Sequence, residues 1–190
     1  GLSVGAFIAS QAGRRGPLYE GLPTLEMHRR MDVSLASRHL AAMGMQSVFI
    51  GDSHPSPAEL ESLARTSREE KNVVVLKARL LSRNPSIRDL LSYTFTARLD
   101  AAQDVIRAQE SRSHVGSHII AADGPQCPLQ YGDITIDNQD FQRYMGEIQI
   151  IQRSLPVEPR TNIAARILPE EQFLLSYITP GRKFRFEWVR

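Results

Sequence analysis

The first part of the chain alternates between apolar runs and helical spacing. "LSVGAFIAS" (Leu2–Ser10) is a small-residue apolar run that reads as a strand, and the loop "QAGRRGPLYEGLP" follows it. "TLEMHRRMDVSLASRHLAAMG" carries helical spacing, interrupted near Met31 and Asp32, and stops at Gly44, the residue type that most easily takes a left-handed cap. "SVFIGD" (Ser47–Asp52) is a short buried strand. In "SPAELESLARTSREE" Ser56 is placed to cap a second helix and Pro57 to open it. "NVVVLKARLL" (Asn72–Leu81) is a third strand, rich in β-branched residues. The order β-α-β-α-β predicts parallel strands joined by right-handed crossovers.

After "SRNPS" the pattern changes. "SYTFTAR" reads as a strand with polar alternation, and Asp100 is expected to cap a short helix, with Gln103 completing a capping box. "DVIRAQESRS" (Asp104–Ser113), read as a helix, lines up Asp104, Arg107, Glu110 and Ser111. That row is either a solvated face with ion pairs worth ~0.2–0.5 kcal/mol each, or one wall of a site for a phosphorylated or hydroxyl-rich ligand. A loop rich in Gly, Pro and His follows, to about Gln130. "DITIDN", "YMGEIQIIQRSL", "TNIAARIL" and "GRKFRFEWV" read as strands, with the helix "PEEQFLLSYI" before the last. Such a run of strands predicts a small closed barrel or sandwich. The boundary falls between about Leu81 and Ser86, giving domains over 1–82 and 83–190.

Three parallel strands need cover on both faces, and an eight-stranded α/β barrel takes ~250 residues. The chain also opens on a strand, without methionine. The expectation is a fragment whose barrel begins elsewhere.

Composition narrows the function classes. The 190 residues are 42% hydrophobic and 23% charged, ordinary for a globular protein, and the net charge of +2 gives no support to nucleic-acid binding. The single Cys127 excludes an internal disulfide and a cysteine zinc site, and fits a reducing compartment. No apolar run approaches the roughly 20 residues that cross a bilayer, and the opening residues are not expected to be a signal peptide. A cytoplasmic protein is expected, without membrane partners.

In α/β barrels chemistry sits where strands end and loops begin. Glu20, in the loop after the first strand, and Asp52, at the end of the second, stand where carboxylates acting on a sugar would stand. The alternative makes them a loop carboxylate and a turn residue. Lys77 and Arg79 share one side of the third strand, reaching either an anionic ligand or carboxylate partners. His114 and His118 lie in loop-like surroundings without a third ligand, so no metal site is expected. No serine elbow, phosphate-cradling glycine loop or dinucleotide fingerprint occurs, and no cofactor is expected.

"EGLPTLEMHR", "FIGDSHPS", "YTFTARLDAAQDVIRAQESRS", "ITIDNQDFQRYMGEIQI" and "PGRKFRFEWV", in this order, resemble the bacterial 6-phospho-N-acetylmuramidases, long filed as outer surface proteins. The resemblance implies an α/β (TIM-type) barrel, of which this chain holds the last units, followed by a cyclophilin-like β-barrel domain. It implies hydrolysis of a disaccharide of 6-phosphorylated N-acetylmuramic acid and N-acetylglucosamine, a recycled cell-wall fragment cleaved in the cytoplasm. Glu20 and Asp52 would then be the catalytic carboxylates. Arg98, Arg107, Glu110, Ser111, Arg112, Asn138, Tyr144 and Glu147, all inside or beside matching motifs, would bind the phosphosugar. Arg107 and Arg112 would grip its anionic groups and Glu110 would orient one of them, unless the same residues form an ion-pair network that joins the domains. Leu99 and Ala102 stand where the family often has proline, and Ser117–Gln130 matches poorly. A non-catalytic binding module, with self-association as a homo-oligomer, is the competing function. A prolyl isomerase lacks its characteristic arginine and glutamine motifs.

Overall fold

The computed structural model describes residues 3–68, 72–124 and 126–189. Leu2, Glu69 and Glu70, at the ends of the first predicted strand and the second predicted helix, lie outside them. The chain is mixed α/β and divides into two compact units between Val73 and Val74.

In the first unit, strand β1 (Gly5–Ile8) pairs in parallel with β2 (Ser47–Ile50), register Gly5 to Ser47 through Ile8 to Ile50. Between them runs helix α1 (Val33–Ala42), capped by the Asp32 carboxylate, which accepts from the Leu35 amide, and followed by Gly44 at φ +86°. Helix α2 (Pro57–Arg68) follows β2. Ala6, Ile8, Val33, Ala36 and Leu40 make the core. His28 and His39 are buried beside it, ring nitrogens 2.8 Å apart. Burial, then the charge of His39, pushes His28 down to about 4, and burial lowers His39 as well.

The second unit is built on one seven-stranded sheet. Its strands are β3 (Val73–Leu80), β4 (Phe95–Thr96), β5 (Val105–Arg107), β6 (Asp133–Asp137), β7 (Ile148–Ile151), β8 (Thr161–Ile167) and β9 (Lys183–Trp188). The order is β4-β9-β3-β8-β6-β7-β5. The two outer strands meet: Ala97 bridges Ala108, the Gln109 amide donates to the Thr96 carbonyl (2.9 Å), and the Arg98 amide donates to the Arg107 carbonyl (3.0 Å). The sheet therefore curls until its edges are stitched, which leaves no long row of unpaired edge groups between β4 and β5. Phe95, Phe184, Ile134, Ile136, Ile148 and Ile150 fill its interior. Two short helices, α3 (Pro85–Leu90) and α4 (Ser111–Val115), and 3-10 turns at Gln139–Tyr144 and Pro169–Tyr177 complete the unit.

The third strand does not join the sheet of the first two. β3 pairs antiparallel with β8, Ala78 to Ile167 and Leu80 to Ala165, so the units part ahead of the boundary expected at residue 82. A strand buried on both faces has the same composition in either sheet, and its partner is not written in its own pattern. The helix expected over 104–113 is also overturned. Val105 and Ile106 are β-branched and pair with β7, Val105 to Ile151 and Ile106 to Ile150, and only Ser111–Val115 is helical. Asp100 accordingly caps no helix and lies in the bend between β4 and β5.

Candidate functional site

In the first unit, the loop after β1 is organised by carboxylates. Asp52, 7% exposed, accepts from the Ser10 amide at 2.8 Å through one oxygen and from the Arg15 amide at 2.9 Å through the other. Glu59, which sequence reasoning did not single out, accepts from the Ser10 hydroxyl (2.9 Å), the Gln11 amide (2.6 Å) and the Ser56 amide (2.8 Å). Burial opposes ionisation of Glu59, yet these donors outweigh it and hold the carboxyl below its ordinary value. Glu59 is also the far member of the Ser56 capping box, the one signal that could have found it. Glu20 is exposed, and its carbonyl receives Arg29 Nη1 at 2.8 Å.

Asp52→Ala should leave the buried Ser10 amide without a partner and release the Arg15 amide. Hydrogen bonds to a charged acceptor are worth ~1.5–3 kcal/mol, so a loss of about 2–3 kcal/mol in the unfolding of the first unit is expected. Denaturant unfolding with amide exchange at Ser10 and Arg15 reads it. Unchanged exchange at both amides would show that the carboxylate does not hold the loop.

In the second unit a cluster of arginines stands on two carboxylates. Asp100 accepts from Arg98 through both oxygens (2.9 Å each) and from Arg107 Nη2 at 2.9 Å. The Arg98 guanidinium, then Arg107, keep Asp100 below the usual carboxylate range. Glu147, with its side chain 8% exposed, lies 3.9 Å from Arg98 Nη1 and 3.6 Å from Arg112 Nε. Both separations exceed hydrogen-bond length. Arg112 Nη1 donates to the Arg143 carbonyl at 3.3 Å, and Tyr144 takes a hydrogen bond from Arg143 at 2.8 Å. Arg107 Nε is buried without an acceptor. The Arg107 side chain helps line a cavity of about 50 Å³, with Arg98, Asp100, Val105 and Gln152 among its other walls.

Thus Arg98, Arg107, Arg112, Tyr144 and Glu147 converge, together with Asp100 and Arg143, which the sequence did not mark. The other expected binding residues hold up backbone. Glu110 accepts from the Thr96 amide at 2.9 Å; burial raises its carboxyl, but this bond and the nearby His114 more than compensate and it lies low. Ser111, 1% exposed, donates to the Ala108 carbonyl and accepts from the Ile148 amide. Asn138, fully buried, donates to Pro159 and Asn162 and accepts from the Asp140 amide. Arg79 is exposed and Lys77 half-buried. His114 stacks on Tyr93 at 4.2 Å, whereas a ring nitrogen of His118 meets the Val115 carbonyl. Among the described residues no group of three His, Cys, Asp or Glu side chains is placed to hold a metal ion, and no helix is long and apolar enough to cross a membrane.

Residues 1–65 match a family model described as 6-phospho-N-acetylmuramidase, N-terminal, and residues 74–187 match its C-terminal counterpart. The chain is similar to the crystal structure of an uncharacterized B. cereus protein, with 29% identity and a TM-score of 0.89, over 98% of this chain and 54% of that one. It is also similar to a conserved protein of unknown function from a locus in Enterococcus faecalis, with 32% identity and a TM-score of 0.69, over 98% of this chain and 50% of that one. The chain therefore spans about half the length of these solved relatives. No curated protein matches it.

Proposed function

Because the chain belongs to the 6-phospho-N-acetylmuramidase family, we propose that it is part of a glycoside hydrolase acting on 6-phospho-N-acetylmuramyl disaccharides in the cytoplasm, during cell-wall recycling. The observation that carries the reading is the agreement of both family models with a cluster of arginines suited to an anionic sugar. Arginine grips phosphate and carboxylate in bidentate fashion, which a point-charge ammonium does not. We read the first unit as closing βα units of a TIM-type barrel and the second as a cyclophilin-like barrel. The parallel β1–β2 pair, with a helix after each strand, supports the former; the stitched sheet edges support the latter.

Glycosidases work with two carboxylates flanking the scissile bond. Asp52, whose oxygens already accept two amides, suits a fixed role that stabilises positive charge on the sugar. Glu20, exposed in the loop that Asp52 ties down, suits proton transfer. In the second unit Arg107 keeps an unused N–H donor for an anionic substituent of the substrate, and Arg112 offers a second cationic group.

The test is hydrolysis of the phosphodisaccharide by the natural protein purified from its source, with product release followed by mass spectrometry. Release of 6-phospho-N-acetylmuramic acid, lost in Glu20→Gln, is expected; intact substrate after long incubation would leave only the binding-module reading. Arg107→Ala should raise KM by about tenfold, the equivalent of ~1.4 kcal/mol. An unchanged KM with a lower Tm would make Arg107 a purely structural arginine.

A further inference from the structure

The arginines of the second unit are not equally available. Arg98 spends Nε and Nη2 on Asp100, and Arg107 spends Nη2 there, so one carboxylate already answers much of their charge. Arg112 and Arg143 differ. Arg112 sees Glu147 only at 3.6 Å, beyond hydrogen-bond reach, and Arg143 is paired with no carboxylate among the described residues. Both guanidiniums are held against one ring: Arg143 lies 4.9 Å and Arg112 5.7 Å from the centre of Tyr144. The ring is itself steadied by Phe141, which meets it edge-on at 5.9 Å. Tyr144 is 39% exposed, so the corner is open to solvent.

The backbone here is held in an uncommon shape. Gln142 has φ +53° and ψ −116°, a conformation that side-chain-bearing residues rarely adopt. Gly146 sits at φ +85°, where a Cβ would collide with Val115. Strain of this kind persists where the surroundings over-determine it, and it clusters at binding sites. Here it presents Arg143 and Tyr144 beside Arg112.

We propose that Arg143 and Arg112, braced on Tyr144, form a clamp for a phosphate monoester, with Arg143 the residue that distinguishes phosphorylated from unphosphorylated sugars. The proposal rests on the reading of a sugar substrate and narrows where its phosphate goes. A phosphate dianion matches two guanidiniums whose charge no hydrogen-bonded carboxylate answers. Arg107, already tied to Asp100 through Nη2, is left to a singly charged group.

The probes are N-acetylglucosamine 6-phosphate and N-acetylglucosamine, titrated calorimetrically into the 190-residue chain at fixed ionic strength. The wild type should bind the phosphorylated sugar at least ~10-fold more tightly than the plain one, a gap that charge-assisted pairs readily supply. Arg143→Ala should close most of that gap, leaving Tm and the affinity for N-acetylglucosamine unchanged, while Arg143→Lys should restore part of it. A wild type that does not prefer the phosphorylated sugar, or an Arg143→Ala protein that prefers it as strongly, would overturn the clamp. The hydrolase reading fails separately. Binding through Arg143 without cleavage of the disaccharide would keep the clamp and remove the enzyme, whereas cleavage with an unchanged KM in Arg143→Ala would do the reverse.

Discussion

At pH 8 the Asp137→Asn protein is expected to be more stable than the wild type, by an amount on the order of 4 kcal/mol. Asp137 closes β6, is 2% exposed and accepts a hydrogen bond from Thr161 at 2.8 Å. Burial pushes its carboxyl up; the Thr161 bond opposes this, Glu147 and Glu158 add to it, and Asp137 reaches about 7. The unfolded chain releases this proton near the ordinary value of 3.8, and the folded chain holds it until about 7. The stability that the protonated group contributes is thus complete below the unfolded value. It is lost as pH rises through the window up to about 7. Asn cannot ionise, so the variant lacks this slope. Urea midpoints from pH 4 to pH 8 should converge in acid and diverge above neutrality; parallel curves would mean that Asp137 is charged in the fold throughout.

Phe184→Ala should cost about 3–5 kcal/mol, the range for a buried phenylalanine whose cavity cannot collapse. Phe184 is fully buried in β9 between Phe95 on β4 and Phe186 on its own strand, with ring centres 5.8 Å away in both cases. Phe95 and Phe184 are direct partners on paired strands, so the backbone ladder fixes their positions and limits how far the cavity can close. Chemical denaturation of the full chain should show a transition assigned to the second unit moved to lower denaturant. Phe184→Leu, which keeps more of the volume, should recover much of the loss. Equal losses in both variants would point to a ring contact rather than a cavity.

Local signals were legible in the sequence, and partners were not. The helix end at Gly44 and the helix start at Ser56 and Pro57 follow from short-range chemistry and lie where the pattern put them, whereas the Asp32 cap shows in the pattern only as a break in the spacing. Val73–Leu80 was readable as a strand, but its antiparallel partner β8 lies far along the chain, and pairing with it is settled by packing. The stretch after Arg98 misled for another reason. Asp104, Arg107, Glu110 and Ser111 match helical spacing by coincidence, while a strand as short as Val105–Arg107 offers too few residues for alternation to register. Of the residues that motif membership marked, Arg98, Arg107, Arg112, Tyr144 and Glu147 lie together in the structure. Motif membership also swept in Ser111 and Asn138, because residues that satisfy buried backbone and residues that would meet a ligand fall in the same motifs. Asp100 and Arg143 join the cluster through contacts made across turns, which no spacing records.

The stitching of the sheet edges has a consequence for how this protein can diversify. Arg98 and Arg107 are tied to each other through the backbone beside the Ala97–Ala108 bridge, so the chain between them leaves and re-enters the sheet at fixed points. Asp100 holds the arginines and Asp104 anchors the far end through the Gln152 amide and Arg153, while Leu99 at the start is 75% exposed. Residues 101–103 are therefore a replaceable insert. Their length and composition can drift, or be randomised in a library that keeps Asp100, while the arginines on either side hold their spacing.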